Sequence, residues 1–100
     1  MEALIKDSLP QIKHLMRSYG VERAYLFGSA ARGTMNADSD VDFLIKFPVD
    51  MDFETYGDNY FNLLYALQNL LEREVELVAE ETITNPYLIE SINRNKLALL

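Results

Sequence analysis

Asp40 and Asp42 stand one residue apart, and ten residues separate them from Gly28-Ser29 at the end of a hydrophobic run. On an extended strand such a pair shares one face, about 6.6 Å apart along the backbone. Like charges so placed repel, and strands disfavour aspartate. A divalent cation held between them would reward the arrangement. Mg²⁺ takes oxygen ligands at about 2.1 Å and leaves positions open for phosphate oxygens. Without a cation, Asp38-Ser39-Asp40 reads as a polar turn and Asp42 as an edge residue.

Gly28 permits a sharp turn and close approach of another group. The first N–H groups of the segment Ser29-Ala30-Ala31-Arg32, with the serine hydroxyl beside them, suit an anion. Arg32 lies about one turn further on and can add a guanidinium to a phosphate oxygen. A plain strand-to-helix turn capped by Ser29 is the bland alternative. The third acid is Glu76. In Glu74-Val75-Glu76-Leu77-Val78, Val75 and Leu77 face one way and the glutamates the other. If this strand neighbours the Asp40–Asp42 strand, three carboxylates reach one cation site. That set suits in-line nucleotidyl transfer, where metal orients a triphosphate and a carboxylate takes the proton of the attacking hydroxyl.

These residues need a scaffold. Ser8-Leu9-Pro10-Gln11 predicts a capped helix start, Ile12, Leu15, Met16 and Tyr19 its apolar face, and Gly20 its end. Val21 to Phe27 predicts a strand, and Val41 to Phe47 a second one closed by Pro48. Phe53 to Leu71 predicts a long amphipathic helix with Tyr56, Tyr60, Phe61, Leu64, Leu67 and Leu71 on its apolar face. Glu74 to Ala79 is a third strand, and Asn85-Pro86 opens a last helix through Ile89 and Ile92. The expected fold is α+β: a small mixed sheet of three or more strands with helices packed on it, in a single domain over 1–100. Thirteen residues separate Phe27 from Val41, which leaves open whether those strands run parallel.

The chain has 100 residues, 16 acidic and 9 basic side chains, a formal charge of −7 and no cysteine. The acidic balance argues against strong nucleic-acid binding, which needs a basic footprint. Disulfides and thiolate metal sites are excluded. No run of about 18 apolar residues is present, so no membrane partner is expected. With no apolar signal-peptide centre at the start, a cytoplasmic location is the expectation.

Taken together, Phe27-Gly28-Ser29, Ala31-Arg32-Gly33 and Ser39-Asp40-Val41-Asp42-Phe43 closely resemble the signature of the polymerase-β-like nucleotidyltransferases. Within that superfamily the chain resembles the minimal nucleotidyltransferase (MNT) family. The resemblance implies ATP as substrate and two Mg²⁺ ions, with Gly28 and Ser29 on the phosphates and Arg32 assisting. It makes Asp40, Asp42 and Glu76 the catalytic, metal-binding acids; at the last position many relatives carry aspartate. It also implies transfer of AMP to a hydroxyl on a HEPN-type ribonuclease toxin, which makes the chain an antitoxin. The alternative is a catalytically weak or inactive nucleotide-binding module that neutralises its partner by steric occlusion. A chain this short builds only the phosphate-and-metal half of such a site. The opposite wall comes from a second copy in a homodimer, from another protein, or from the acceptor.

Overall fold

The computed structural model describes all residues, 1–100. Helix α1 (Ala3–Ser18) is followed by strand β1 (Arg23–Phe27), the single turn of α2 (Gly28–Arg32) and strand β2 (Val41–Lys46). Helix α3 (Phe53–Leu71), strand β3 (Val75–Ala79), a 3₁₀ turn (Glu80–Thr82), helix α4 (Pro86–Asn95) and the short strand β4 (Leu97–Ala98) complete the chain. The sheet order is β3-β2-β1-β4. β1 runs antiparallel to both β2 and β4, whereas β2 and β3 are parallel. The expected mixed α+β sheet is therefore present.

Alternation sets the two faces of this sheet. Val41, Phe43 and Ile45 lie level with Val75, Leu77 and Ala79, and all six are buried. Ile5, Ile12 and Met16 of α1 and Leu63, Leu67 and Leu71 of α3 cover that face and complete the core. The intervening residues of β2 and β3, Asp42 and Glu76, must then look out from the opposite face. Further along that face, Leu44 lies beside Ile89 and Ile92 of α4. The end carrying the acids is left more open.

Local chemistry explains most element boundaries. Asp52 caps α3, its carboxylate accepting from the Thr55 N–H at 3.0 Å and the Thr55 hydroxyl at 2.6 Å. The Asn85 side chain accepts from the Tyr87 N–H at 2.9 Å, and Pro86 occupies the first turn of α4. Gly20 ends α1 with φ +80°. Asn59 of α3 donates to the Tyr19 carbonyl at 2.9 Å, tying the two core helices together.

Two expectations are corrected, and one further strand joins the expected sheet of three or more. No helix starts at Ser8: α1 begins at Ala3, has no side-chain cap and runs through Pro10. Pro10 removes one i→i−4 bond, but ending the helix there would expose Ile5, which is fully buried. Phe61 is 54% exposed, and Leu63 takes the buried position instead. Strand β4 is that further strand; it pairs Leu97 with Leu26 and Ala98 with Tyr25 at the sheet edge. Because Pro10 leaves the Lys6 carbonyl without its helical donor, Pro10→Ala should stabilise the fold by about 1–2 kcal/mol. Circular-dichroism melting checks this, and the midpoint should rise by roughly 4 °C or more.

Candidate active site

β1 ends at Phe27, directly opposite Asp42 in the antiparallel register. The chain then turns through Gly28 at φ +69°, in the left-handed region. A Cβ at this position would stand 2.2 Å from Asp42 Oδ2. The carboxylate is thus packed on the bare backbone of the turn, and both conformation and contact require glycine. No side chain caps α2, so its leading N–H groups are not taken up by a neighbouring side chain. Ser29 belongs to this turn. Arg32, exposed at its end, is near enough for its guanidinium to favour the ionised form of Asp42.

Parallel pairing places Glu76 level with Asp42 on the adjacent strand. The Glu76 side chain is near enough to raise the affinity of the Asp42 carboxylate for a proton. Burial comes first among the causes that push the Asp42 carboxyl up to about 6, followed by the contact with Glu76 and its charge, and then the charge of Asp40. Asp40 stands just before β2 and is exposed. It acts on Asp42 through its field, while Glu76 makes contact. No three acidic or histidine side chains close into a ready-made cage. The structure therefore sets Asp42 against Gly28 and level with Glu76, with Ser29 next in the chain and the exposed Arg32 and Asp40 near enough to act on Asp42 by charge. The hard, anionic oxygens of Asp42 and Glu76, mutually repelling when ionised, are a donor pair that fits Mg²⁺.

One residue of the site escaped sequence reasoning. Arg73, in the turn after α3, donates through Nη1 to the carbonyls of Asn36 at 2.9 Å and Ser39 at 3.0 Å. The same loop is stitched by the Asn36 N–H to Ser39 Oγ at 3.0 Å and the Asp38 N–H to Asn36 Oδ1 at 2.9 Å. Arg73 thus holds the loop that delivers Asp40 to the start of β2. Its only sequence signal is a cation between a helix end and a strand start.

Two outcomes follow. The folded Asp42 pKa of about 6 lies above its ordinary 3.8, so its contribution is fully present below pH 3.8 and is lost as pH rises through 6. Asp42→Asn should stabilise the fold at pH 7.5 in EDTA by about 1 kcal/mol after discounting for solvent screening, seen as a higher melting temperature. The gain should vanish below pH 4. Arg73→Ala should speed amide exchange at Ser39 by about tenfold, while lowering the melting temperature by only a few degrees.

The chain is similar to known proteins in sequence and in fold. The family profile described as "Nucleotidyltransferase domain" matches residues 9–99. A Methanocaldococcus jannaschii protein named "Putative protein adenylyltransferase" is 32% identical over 92 residues, covering 91% of this chain and 90% of that protein. The solved structure of a "putative minimal nucleotidyltransferase" superposes with a TM-score of 0.73 at 26% identity, covering 97% of this chain and 95% of that one. A chain in a structure described as tri-AMPylated Shewanella oneidensis HEPN toxin in complex with MNT antitoxin matches in fold. Its TM-score is 0.68 at 20% identity, covering 95% of this chain and 71% of that one. With the profile spanning nearly all of its length and the M. jannaschii protein aligned almost end to end, this chain belongs to the nucleotidyltransferase domain family.

Proposed function

We propose that this protein transfers AMP from ATP to a hydroxyl on a HEPN-domain ribonuclease partner and thereby acts as its antitoxin. The observation that carries the reading is the contact between the Gly28 turn and Asp42, itself facing Glu76 across two parallel strands. A triphosphate lying on that turn is brought against the acids within one or two atoms' reach. The name of the M. jannaschii relative supports protein as the acceptor class, and the AMPylated toxin complex supports a HEPN partner.

In this reading the N–H groups of Gly28 and Ser29 hold the terminal phosphates, and Arg32 offsets their charge from the rim. Asp40, Asp42 and Glu76 hold Mg²⁺, which when bound would neutralise the triphosphate and the departing pyrophosphate. The acceptor oxygen forms a bond to the α-phosphorus as the bond from that phosphorus to the bridging oxygen breaks. Pyrophosphate leaves, and the acceptor proton passes to a carboxylate of the acidic set. The core-locked strands keep these groups still while the chemistry proceeds, which is where most of the positioning advantage arises.

The test is incubation with Mg²⁺, each nucleoside triphosphate in turn and a HEPN-domain partner, read by intact mass. The partner should gain one or more AMP units with ATP. Asp40→Asn should lower the rate by about 10³-fold or more while the melting curve stays cooperative. Neutralisation of the ribonuclease that persists in Asp40→Asn without any mass gain would replace this reading with steric occlusion.

A further inference from the structure

Helix α3 carries a second feature, on its outer side. Phe53, Gly57, Phe61 and Tyr65 recur every four residues, and Phe53 is 92%, Phe61 54% and Tyr65 57% exposed. Residues four apart are neighbours on a helix, so these aromatics form one stripe and are not scattered singles. At its centre is Gly57, in a helix interior where only proline is less favourable. Apart from its chain neighbours and the backbone of its own helix, nothing lies within 4 Å of the place its side chain would take. Internal crowding therefore does not require a glycine here. What glycine offers at that point is close approach by a backbone from outside.

Beside the stripe, between α3 and β3, lies a groove of about 440 Å³ lined by Phe53, Phe61, Tyr56 and Tyr60. The Tyr56 hydroxyl is buried there beside Glu81, and burial first, then Glu81, pushes its pKa up. β3 is an edge strand, yet its edge is already covered: the Tyr60 hydroxyl donates to the Leu77 carbonyl, and the Thr82 hydroxyl donates to that of Ala79. Strand addition is blocked at both positions. An occupant must pack through side chains, as a helix does in a groove.

Charge selects among occupants. Glu54 and Asp58 flank the stripe, Glu80 and Glu81 lie just beyond the end of β3, and all four are exposed. α3 contains no Lys or Arg. A two-fold pairing of identical copies across Gly57 would set acid against acid, so a second copy is disfavoured. We propose that this face docks a partner protein through an amphipathic helix whose apolar side chains fill the groove, whose backbone crosses α3 at Gly57 and whose flanks carry Lys or Arg. The groove abuts β3 at Leu77, one residue from Glu76, so a docked partner lies beside the acidic site. Identifying that partner with the acceptor rests on the function proposed above; the surface itself is argued from α3 and β3 alone.

Calorimetric titration of the full chain uses two probes: the HEPN-domain partner, and a synthetic helix with leucines on one face and lysines at its flanks, beside a twin carrying glutamates there. Gly57→Leu and Phe61→Asp should each weaken both probes by about tenfold or more. Gly57→Leu should melt no lower than the parent. Asp40→Asn should keep full affinity while losing transfer. The glutamate twin should bind at least about tenfold more weakly than the lysine peptide. Unchanged binding in both variants, equal binding of the twins, no binding of either probe, or a dimer in sedimentation that Gly57→Leu dissolves would each overturn the proposal. Peptide binding lost in Gly57→Leu, with no AMP gained by the HEPN-domain partner, leaves the docking surface standing and removes the proposed function.

Discussion

The carboxylate of Asp42 rests against the backbone of Gly28, and the rest of the molecule is arranged so that it can. A methyl group at position 28 would stand 2.2 Å from Asp42 Oδ2, so the contact exists only because the residue has no side chain. It also needs the end of β1 and the start of β2 to be level, which the Phe27–Asp42 pairing provides. That register is not chosen locally. Slipping β2 by one residue would turn Val41, Phe43 and Ile45 out of the core and Asp42 into it, at a cost of several buried side chains. The same constraint acts on β3 through Val75 and Leu77. The hydrophobic halves of two parallel strands therefore determine that Asp42 and Glu76 face each other on the open side.

This arrangement is electrostatically unfavourable taken alone. Asp42 is partly withdrawn from water beside Glu76, with Asp40 nearby, and its affinity for a proton rises accordingly. Only Arg32 opposes the trend. A fold selected for stability alone would place a neutral side chain there. Retaining the acids against the cost is what a binding site for cationic charge requires, and it makes the fold's weakest electrostatic point coincide with the contact just described.

Much of this was legible because it is periodic. Alternation in Val41 to Phe47 and Val75 to Ala79 gave the strands and the shared side of their acids. Phe53 and Leu71 bound α3 as expected, and Gly28 turns the chain as expected. The features that were not legible depend on distant partners. β4 has two residues, too few for any period, and exists because Leu26 and Tyr25 offer an open edge. Arg73 acquires its role from carbonyls 34 and 37 positions away. The start of α1 was misplaced because Pro10 is a strong local signal, overridden by burial of Ile5 in a core that forms only in three dimensions. Phe61 was assigned to the inner side of α3 on hydrophobicity, although Leu63, Leu67 and Leu71 already supply a complete apolar stripe.

α3 is apolar on two sides, and only one of them is consumed by the core. The other borders β3 along an edge whose Leu77 and Ala79 carbonyls are capped by Tyr60 and Thr82 hydroxyls. β3 therefore belongs to three environments at once: Leu77 points into the core, Glu76 faces the acidic site, and the strand's outer edge lines the groove. Because one rigid five-residue strand links groove and acids, a body seated on α3 meets the site at a fixed distance without any moving part. On the proposed reading, the Gly28 turn and the acids hold the nucleotide and leave the acceptor side to be closed from outside. The groove beside α3 reaches Leu77 and Val78, the residues that follow Glu76 in β3, so a protein seated there borders the strand that carries one of the acids.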